Sequence, residues 1–272
     1  MTHLTIDGRT VTYVEHGSGQ TIVLLHAGAG SGKQWAKTAP FLQSHFRLIA
    51  PDLWGFGATD SWRGEHELTH DDQALLVSSV VKAMCTDPVH LVGHSYGGAT
   101  AVRLVLGRRL EVLTLTLIEP ILTPLLDLAG ESALFTEYHD MASAFMNSVA
   151  AGDPDSAWRG FLNYRNGPGT WERMSSETKA RFLSTTENTV AGFRSNLSNP
   201  TSINDLATIS LPTLVMCGEK TTLPDRKVTE ILRQHLPRCT YDLIPGAEHM
   251  SPLTHPQYIA SAIERHIATA AL

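Results

Sequence analysis

Apolar and polar positions alternate with period two from Val11 to Glu15, then the apolar positions close up into the short run Thr21 to His26 (TIVLLH). Phe46 to Ala50 (FRLIA) is a second such run, of the kind that fits a strand buried on both faces. Between 69 and 84 the spacing changes. Leu76, Val77, Val80, Val81 and Met84 fall on one face of a helix, with Thr69 and Asp72 placed as a capping pair at its start. A strand over Val89 to Gly93, a glycine-rich turn and a helix from Ala99 to about Leu106, stopped by Gly107, follow. Leu113 to Ile118 (LTLTLI) is the next buried strand. Strands that alternate with helices predict an α/β protein with a mostly parallel central sheet flanked by helices.

The strand rhythm stops at Pro120 and returns near 205. The intervening stretch shows helical patterns around 131–150, 155–164 and 176–196, and reads as an inserted helical cap. Alternation resumes with the strand Thr213 to Cys217, a helix near Pro224 to His235, the strand Thr240 to Ile244 and a last helix from about Pro256. The expected organisation is therefore one core, 1–119 together with 205–272, carrying a helical cap over 120–204.

Composition narrows the class without choosing a reaction. At 272 residues, with 42% hydrophobic and 18% charged, the chain can bury a substantial core. The formal net charge of -6 offers no general attraction to nucleic acid or to an anionic membrane. No stretch approaches the ~20 apolar residues of a membrane helix, and the polar start MTHLTIDGRT lacks the apolar run of a signal peptide. Cys85, Cys217 and Cys239 are odd in number and without CxxC spacing, so neither a disulfide framework nor a metal cluster is implied. A cytoplasmic protein without metal or organic cofactor is expected, and nothing in the sequence sets its oligomeric state.

Chemistry concentrates in Val92-Gly93-His94-Ser95-Tyr96-Gly97-Gly98, which follows the apolar strand VHLV and precedes a helix. A G-x-S-x-G match gains meaning only in that strand–turn–helix setting. The glycines remove side chains from a crowded bend, and the bend lifts the Ser95 hydroxyl above the sheet at the new helix's N-terminus. A serine needs a base to take its proton. Among the 13 histidines, His249 fits best, because it lies in the loop after the last strand, at the sheet edge where such folds place their sites. His94 is expected to pack inside the bend, His26 to end a strand, and His255 to open a helix before Pro256.

The motifs GHSYGG, PDLWGFGATD and PGAEHMSPLTHP resemble those of α/β-hydrolases, in particular the esterase, lipase and carbon–carbon-bond hydrolase branches. The resemblance covers about 1–119 and 205–272 and implies a triad of serine, acid and histidine in that chain order. Relatives commonly carry the acid three residues after the glycine that ends the penultimate strand; here that position is Thr221. Two carboxylates are candidates in its place. Glu119 ends the strand LTLTLI, where an unpaired charge would cost several kcal/mol, so its presence asks for a partner. Asp225 also reads as an ordinary first-turn helix residue. Burial favours Glu119, while Glu219 and Glu248 are expected to face water. The resemblance further implies an oxyanion hole from the amides of Gly28 and Tyr96, with Ala27 standing where relatives usually have glycine.

Trp54, in the D-x-x-G-x-G turn, is a candidate for lining the pocket near the oxyanion loop. Trp158, Phe161, Tyr164, Trp171, Phe182 and Phe193 either roof an apolar pocket or pack the cap onto the core. The expected activity is hydrolysis of a small or medium carboxylic ester, a small-molecule substrate, through an acyl-enzyme on Ser95. Two alternatives stand beside it: carbon–carbon hydrolysis of ring-cleavage products, and a ligand-binding protein whose triad is vestigial.

Overall fold

A computed structural model describes residues 2–270. In chain order its strands are β1 (Thr2–Ile6), β2 (Arg9–His16), β3 (Gln20–Leu25), β4 (Phe46–Pro51), β5 (Val89–His94), β6 (Val112–Ile118), β7 (Thr213–Gly218) and β8 (Cys239–Ile244). The helices are α1 (Ala39–Leu42), α2 (His70–Met84), α3 (Tyr96–Leu106), α4 (Pro124–Leu128), α5 (Ser132–Ala150), α6 (Pro154–Asn166), α7 (Ser176–Ser184), α8 (Thr186–Leu197), α9 (Ile203–Thr208), α10 (Leu223–His235), α11 (Ser251–Thr254) and α12 (Pro256–Ala270). The strands form one sheet in the order β1-β2-β4-β3-β5-β6-β7-β8, parallel from β4 to β8, with β1 and β2 antiparallel at one edge.

The central strands are buried at nearly every position, and mostly apolar, because both faces of the sheet are covered. Val23, Leu25, Leu91, Leu115 and Val215 meet α2, α3 and α10 through Val77, Val81, Val102, Val228 and Leu232. Their sequence neighbours Ile22, Leu24, Val92, Leu214 and Met216 point the other way, onto Trp35, Leu42, Ile259 and Ile263 of the opposite layer. The α2 start carries the expected capping box, with Thr69 and Asp72 each bonding the other's backbone.

Helices α4 to α9 lie between β6 and β7; α5 to α8 build a separate cluster around Tyr138, Phe145, Trp158, Trp171 and Phe193, while Leu125 and Leu126 of α4 and Leu206 of α9 join the main core. The pattern over 176–196 is divided into α7 and α8 rather than one helix. The Thr185 and Thr186 hydroxyls donate to the carbonyls of Phe182 and Leu183 at the junction, where such bonds compete with the helix ladder. The helix after the glycine-rich turn begins at Tyr96, three residues before Ala99, because Gly97 and Gly98 hide its first turn. Among the described residues no helix is long and apolar enough to cross a membrane.

Candidate active site

Ser95 stands between β5 and α3 with φ 55°, a left-handed conformation that a side-chain-bearing residue adopts only under constraint. The constraint is the approach of neighbouring backbone. A Cβ on Gly93 would lie 2.5 Å from the Gly97 carbonyl oxygen, and one on Gly97 would lie 2.6 Å from the carbonyl oxygens of Leu25 and His26. The turn is pinned on both sides, by Ser95 N–H to the Ile118 carbonyl (2.9 Å) and Gly97 N–H to the His26 carbonyl (3.1 Å).

His249 arrives from the loop after β8, and the loop is held from below. Gln34 accepts from the Ala27 amide at 3.0 Å and its side-chain nitrogen meets His94 Nδ1 at 3.1 Å. His94 Nε2 in turn donates to the His249 carbonyl at 2.9 Å. His94 is fully buried, and burial pushes it down to about 3, so it stays a neutral strut. It thus ties the serine turn to the histidine loop, a role beyond the packing expected of it.

The three chain-distant groups meet. Ser95 Oγ lies 2.9 Å from His249 Nε2, and His249 Nδ1 lies 2.7 Å from Glu119 Oε2. A carboxylate only accepts, so Nδ1 carries the hydrogen and Nε2 is free to receive the serine's proton. Glu119 is fully buried, has φ 43°, and takes two further donors, Gly218 N–H on Oε1 and the Thr221 hydroxyl on Oε2, both at 2.6 Å. Burial alone would raise its carboxyl; the hydrogen bond and charge of His249, with Thr221 and Gly218, outweigh it and hold the group at about 2. His249 itself is pushed below the usual histidine range by burial and by the nearby Arg165 charge, against the pull of Glu119. At neutral pH the pair is an anion beside a neutral imidazole.

Asp225 does occupy the first turn of α10, but it is more than an ordinary first-turn residue. It is buried at 2% exposure, its Oδ2 accepts from Arg165 Nη1, and the same oxygen lies 3.4 Å from His249 Nδ1. Arg165, from cap helix α6, carried no sequence signal of its own. Its pairing with Asp225 spans 60 positions and two layers of the fold. Glu119, Asp225 and His249 offer ligand atoms within 4.8 Å of one another, but a divalent cation there would face the Arg165 guanidinium and compete with the Glu119–His249 bond. The arrangement suits proton transfer better than metal binding.

Gly28 and Tyr96 lie side by side: a Cβ on Gly28 would sit 3.7 Å from the Tyr96 Cβ. Gly30 N–H, which donates to Ala27, and Gly97 N–H, which donates to His26, are committed to the two turns that hold them. Trp54 does not line this site. It packs at the sheet edge with Val11, Ile49, Leu76 and Val80, where Trp62 and the Arg9 guanidinium also rest on it. Trp158, Trp171 and Phe193 are buried in the cap's own cluster, with Phe161 and Phe182 packed against it, and Ala29 of the oxyanion loop also touches that cluster. Tyr164 instead donates to Glu137. Glu219 and Glu248 are exposed.

Residues 20–256 match the family model of the alpha/beta hydrolase fold. A 2-hydroxy-6-oxo-6-(2'-aminophenyl)hexa-2,4-dienoic acid hydrolase of Metapseudomonas resinovorans is 34% identical over 144 residues, 52% of this chain and 45% of that protein. A soluble epoxide hydrolase of Corynebacterium sp. (strain C12) is 37% identical over 99 residues, 35% of this chain and 33% of that one. The matched stretches thus span less than half of either relative. Among solved structures, an alpha/beta hydrolase enzyme from a Medee basin deep-sea metagenome library superposes with TM-score 0.82 over 98% of this chain and 97% of that one, at 16% identity, a likeness of fold.

Proposed function

Because the chain belongs to the alpha/beta hydrolase fold family, we propose that it is a serine hydrolase cleaving a small or medium carboxylic ester through an acyl-enzyme on Ser95. The observation that carries this reading is the continuous line from Ser95 Oγ to His249 Nε2 (2.9 Å) and from His249 Nδ1 to Glu119 Oε2 (2.7 Å), on a serine held in a strained turn. His249 takes the hydroxyl proton as Ser95 Oγ attacks the acyl carbonyl, and Glu119 stabilises the imidazolium that forms. The amides of Gly28 and Tyr96 receive the oxyanion, where losing one donor typically costs ~3 kcal/mol. The imidazolium then protonates the departing alkoxide, and the neutral imidazole activates the water that releases the acid. A serine at the turn disfavours the epoxide and dehalogenase chemistries of some relatives, which would call for aspartate there. The contact between Ala29 of the oxyanion loop and the cap's apolar cluster supports a substrate with an apolar part.

Carbon–carbon hydrolysis of ring-cleavage products is the second reading, favoured by the sequence likeness to the dienoic acid hydrolase. The two readings share the nucleophile and differ in substrate. A fluorophosphonate probe is expected to label the wild type and not Ser95→Ala. Equal labelling of both, or none of either, overturns the acyl-enzyme. A panel of p-nitrophenyl esters of varied chain length beside a ring-cleavage dienoate then separates the readings: turnover of the dienoate with the esters left intact selects the second.

A further inference from the structure

Near the end of α6, cap residue Arg165 is buried and reaches into the core, where its Nη1 donates to Asp225 Oδ2 in the first turn of α10. That oxygen lies 3.4 Å from His249 Nδ1, the atom that already donates to Glu119. Two carboxylates therefore converge on one N–H. Left to themselves, two anions would hold a proton on the imidazole and compete for its orientation. The guanidinium takes one of them. The pair is not a symmetric fork: Arg165 Nε and Asp225 Oδ1 are buried without a hydrogen-bond partner, so the geometry favours the contact beside His249 over a bidentate bridge. The rings of Tyr138, Phe161 and Tyr164 lie 5.8 to 5.9 Å from the guanidinium carbon and hold the side chain in place from the cap side.

We propose that Arg165 and Asp225 are positioning residues: the cap arginine draws Asp225 to itself, so that Glu119 alone orients His249 and the seated cap completes the base. This rests on the serine-hydrolase reading above. The groups that face His249 are few. Ser95 stands before Nε2, Glu119 follows β6, Asp225 comes from α10, Arg165 from α6, and His94 at the end of β5 packs 5.1 Å from its ring. His94 stays neutral at about 3, and burial raises Tyr138 and Tyr164 to about 12, so none of these three changes charge across the working range. Within α10, Arg226 bonds the Glu219 carbonyl and Lys227 pairs with Glu131, and Glu248 in the histidine loop is exposed.

The test reads the proton on His249 without needing the natural substrate. The rate of fluorophosphonate labelling of Ser95 is followed in short pulses from pH 4 to 9. Arg165→Met is expected to move the half-maximal pH upward by about one unit, and Asp225→Asn to move it downward. The double variant Arg165→Met with Asp225→Asn returns to within a few tenths of wild type, and Arg165→Lys, which keeps the charge, stays near it. A merely structural pair would slow labelling at every pH and leave the midpoints where they were, and that result overturns the proposal. If Arg165→Met does not fold, Asp225→Asn decides alone, since an unmoved or raised midpoint is then fatal. Failure of the wild type to label at any pH sinks the serine reading and this inference with it. Labelling with unmoved midpoints sinks this inference only.

Discussion

Glu119 combines two unfavourable conditions in one residue, a charge with no solvent exposure and a side chain on a left-handed backbone. Strain of that kind costs on the order of 1–3 kcal/mol and persists only where the surroundings determine it. Here they do: its amide bonds the Met216 carbonyl, and three donors converge on its carboxylate. Glu119→Gln keeps the volume but removes the charge that stabilises the imidazolium and leaves one acceptor oxygen where three donors converge, so an NH2 must face an N–H or O–H and the imidazole is held less well. Fluorophosphonate labelling should fall by roughly 10⁴-fold, the order seen when a triad acid is neutralised; a loss under fivefold would remove Glu119 from the machinery. Thr221→Val tests the support. Removing a hydroxyl from a buried carboxylate should lower stability by about 1.5–3 kcal/mol, read as a shifted denaturant midpoint. Much of this neighbourhood was legible in the residues, since a strand-end carboxylate demands a partner and a glycine-flanked serine demands a base. Asp225 was not legible as a buried group, because its first-turn position has a sufficient local explanation and its partner Arg165 comes from another layer.

The cap meets the core through polar contacts that no hydrophobic period announces. His70 of α2 lies 2.9 Å from Asn196 Oδ1 of α8 and 3.0 Å from the Thr100 hydroxyl of α3, and Asn196 Nδ2 donates to the Tyr138 hydroxyl of α5 at 3.1 Å. All four are buried. A buried polar chain of this kind is costly when half satisfied, so Asn196→Ala, which orphans both His70 Nε2 and the Tyr138 hydroxyl, should destabilise by about 2–4 kcal/mol. Scanning calorimetry should register several degrees of lost Tm; an unchanged transition would mean the contact carries no docking energy. Elements with strong local signals were readable: the buried strands β3 to β7, the edge strand β8, and α2 with its capping box. Edge strand β1 escaped notice although Asp7-Gly8, with φ 49° and 73°, is a hairpin-turn signal that pairs it with β2. The division between α7 and α8 escaped too, because the apolar spacing continues through Thr185 while the threonine hydroxyls divert the backbone.

For the whole molecule, the buried histidines connect folding to pH. Of the 13 in the chain, six are buried, namely His26, His70, His90, His94, His249 and His266, and burial lowers every one. His70 and His90 fall to about 4 and His94 to about 3. A group whose folded value lies below its unfolded 6.5 takes up its proton in the unfolded chain first. Stability is therefore full above pH 6.5 and declines as the pH drops toward those folded values. Glu119 adds to the loss at lower pH, between its ordinary 4.5 and about 2. For His70 alone the displacement corresponds to roughly 3 kcal/mol when fully developed. Summed over the set, Tm should drop by about 10 °C or more between pH 7.5 and 5. This loss is separable from catalysis. His90→Gln, near the start of β5 and away from the Ser95 turn at its end, should flatten the dependence of Tm on pH while leaving the labelling midpoint of Ser95 in place. If Tm holds constant down to pH 5, these six side chains are not kept neutral by the fold, and the reading of His94 as an uncharged strut beneath His249 fails with them.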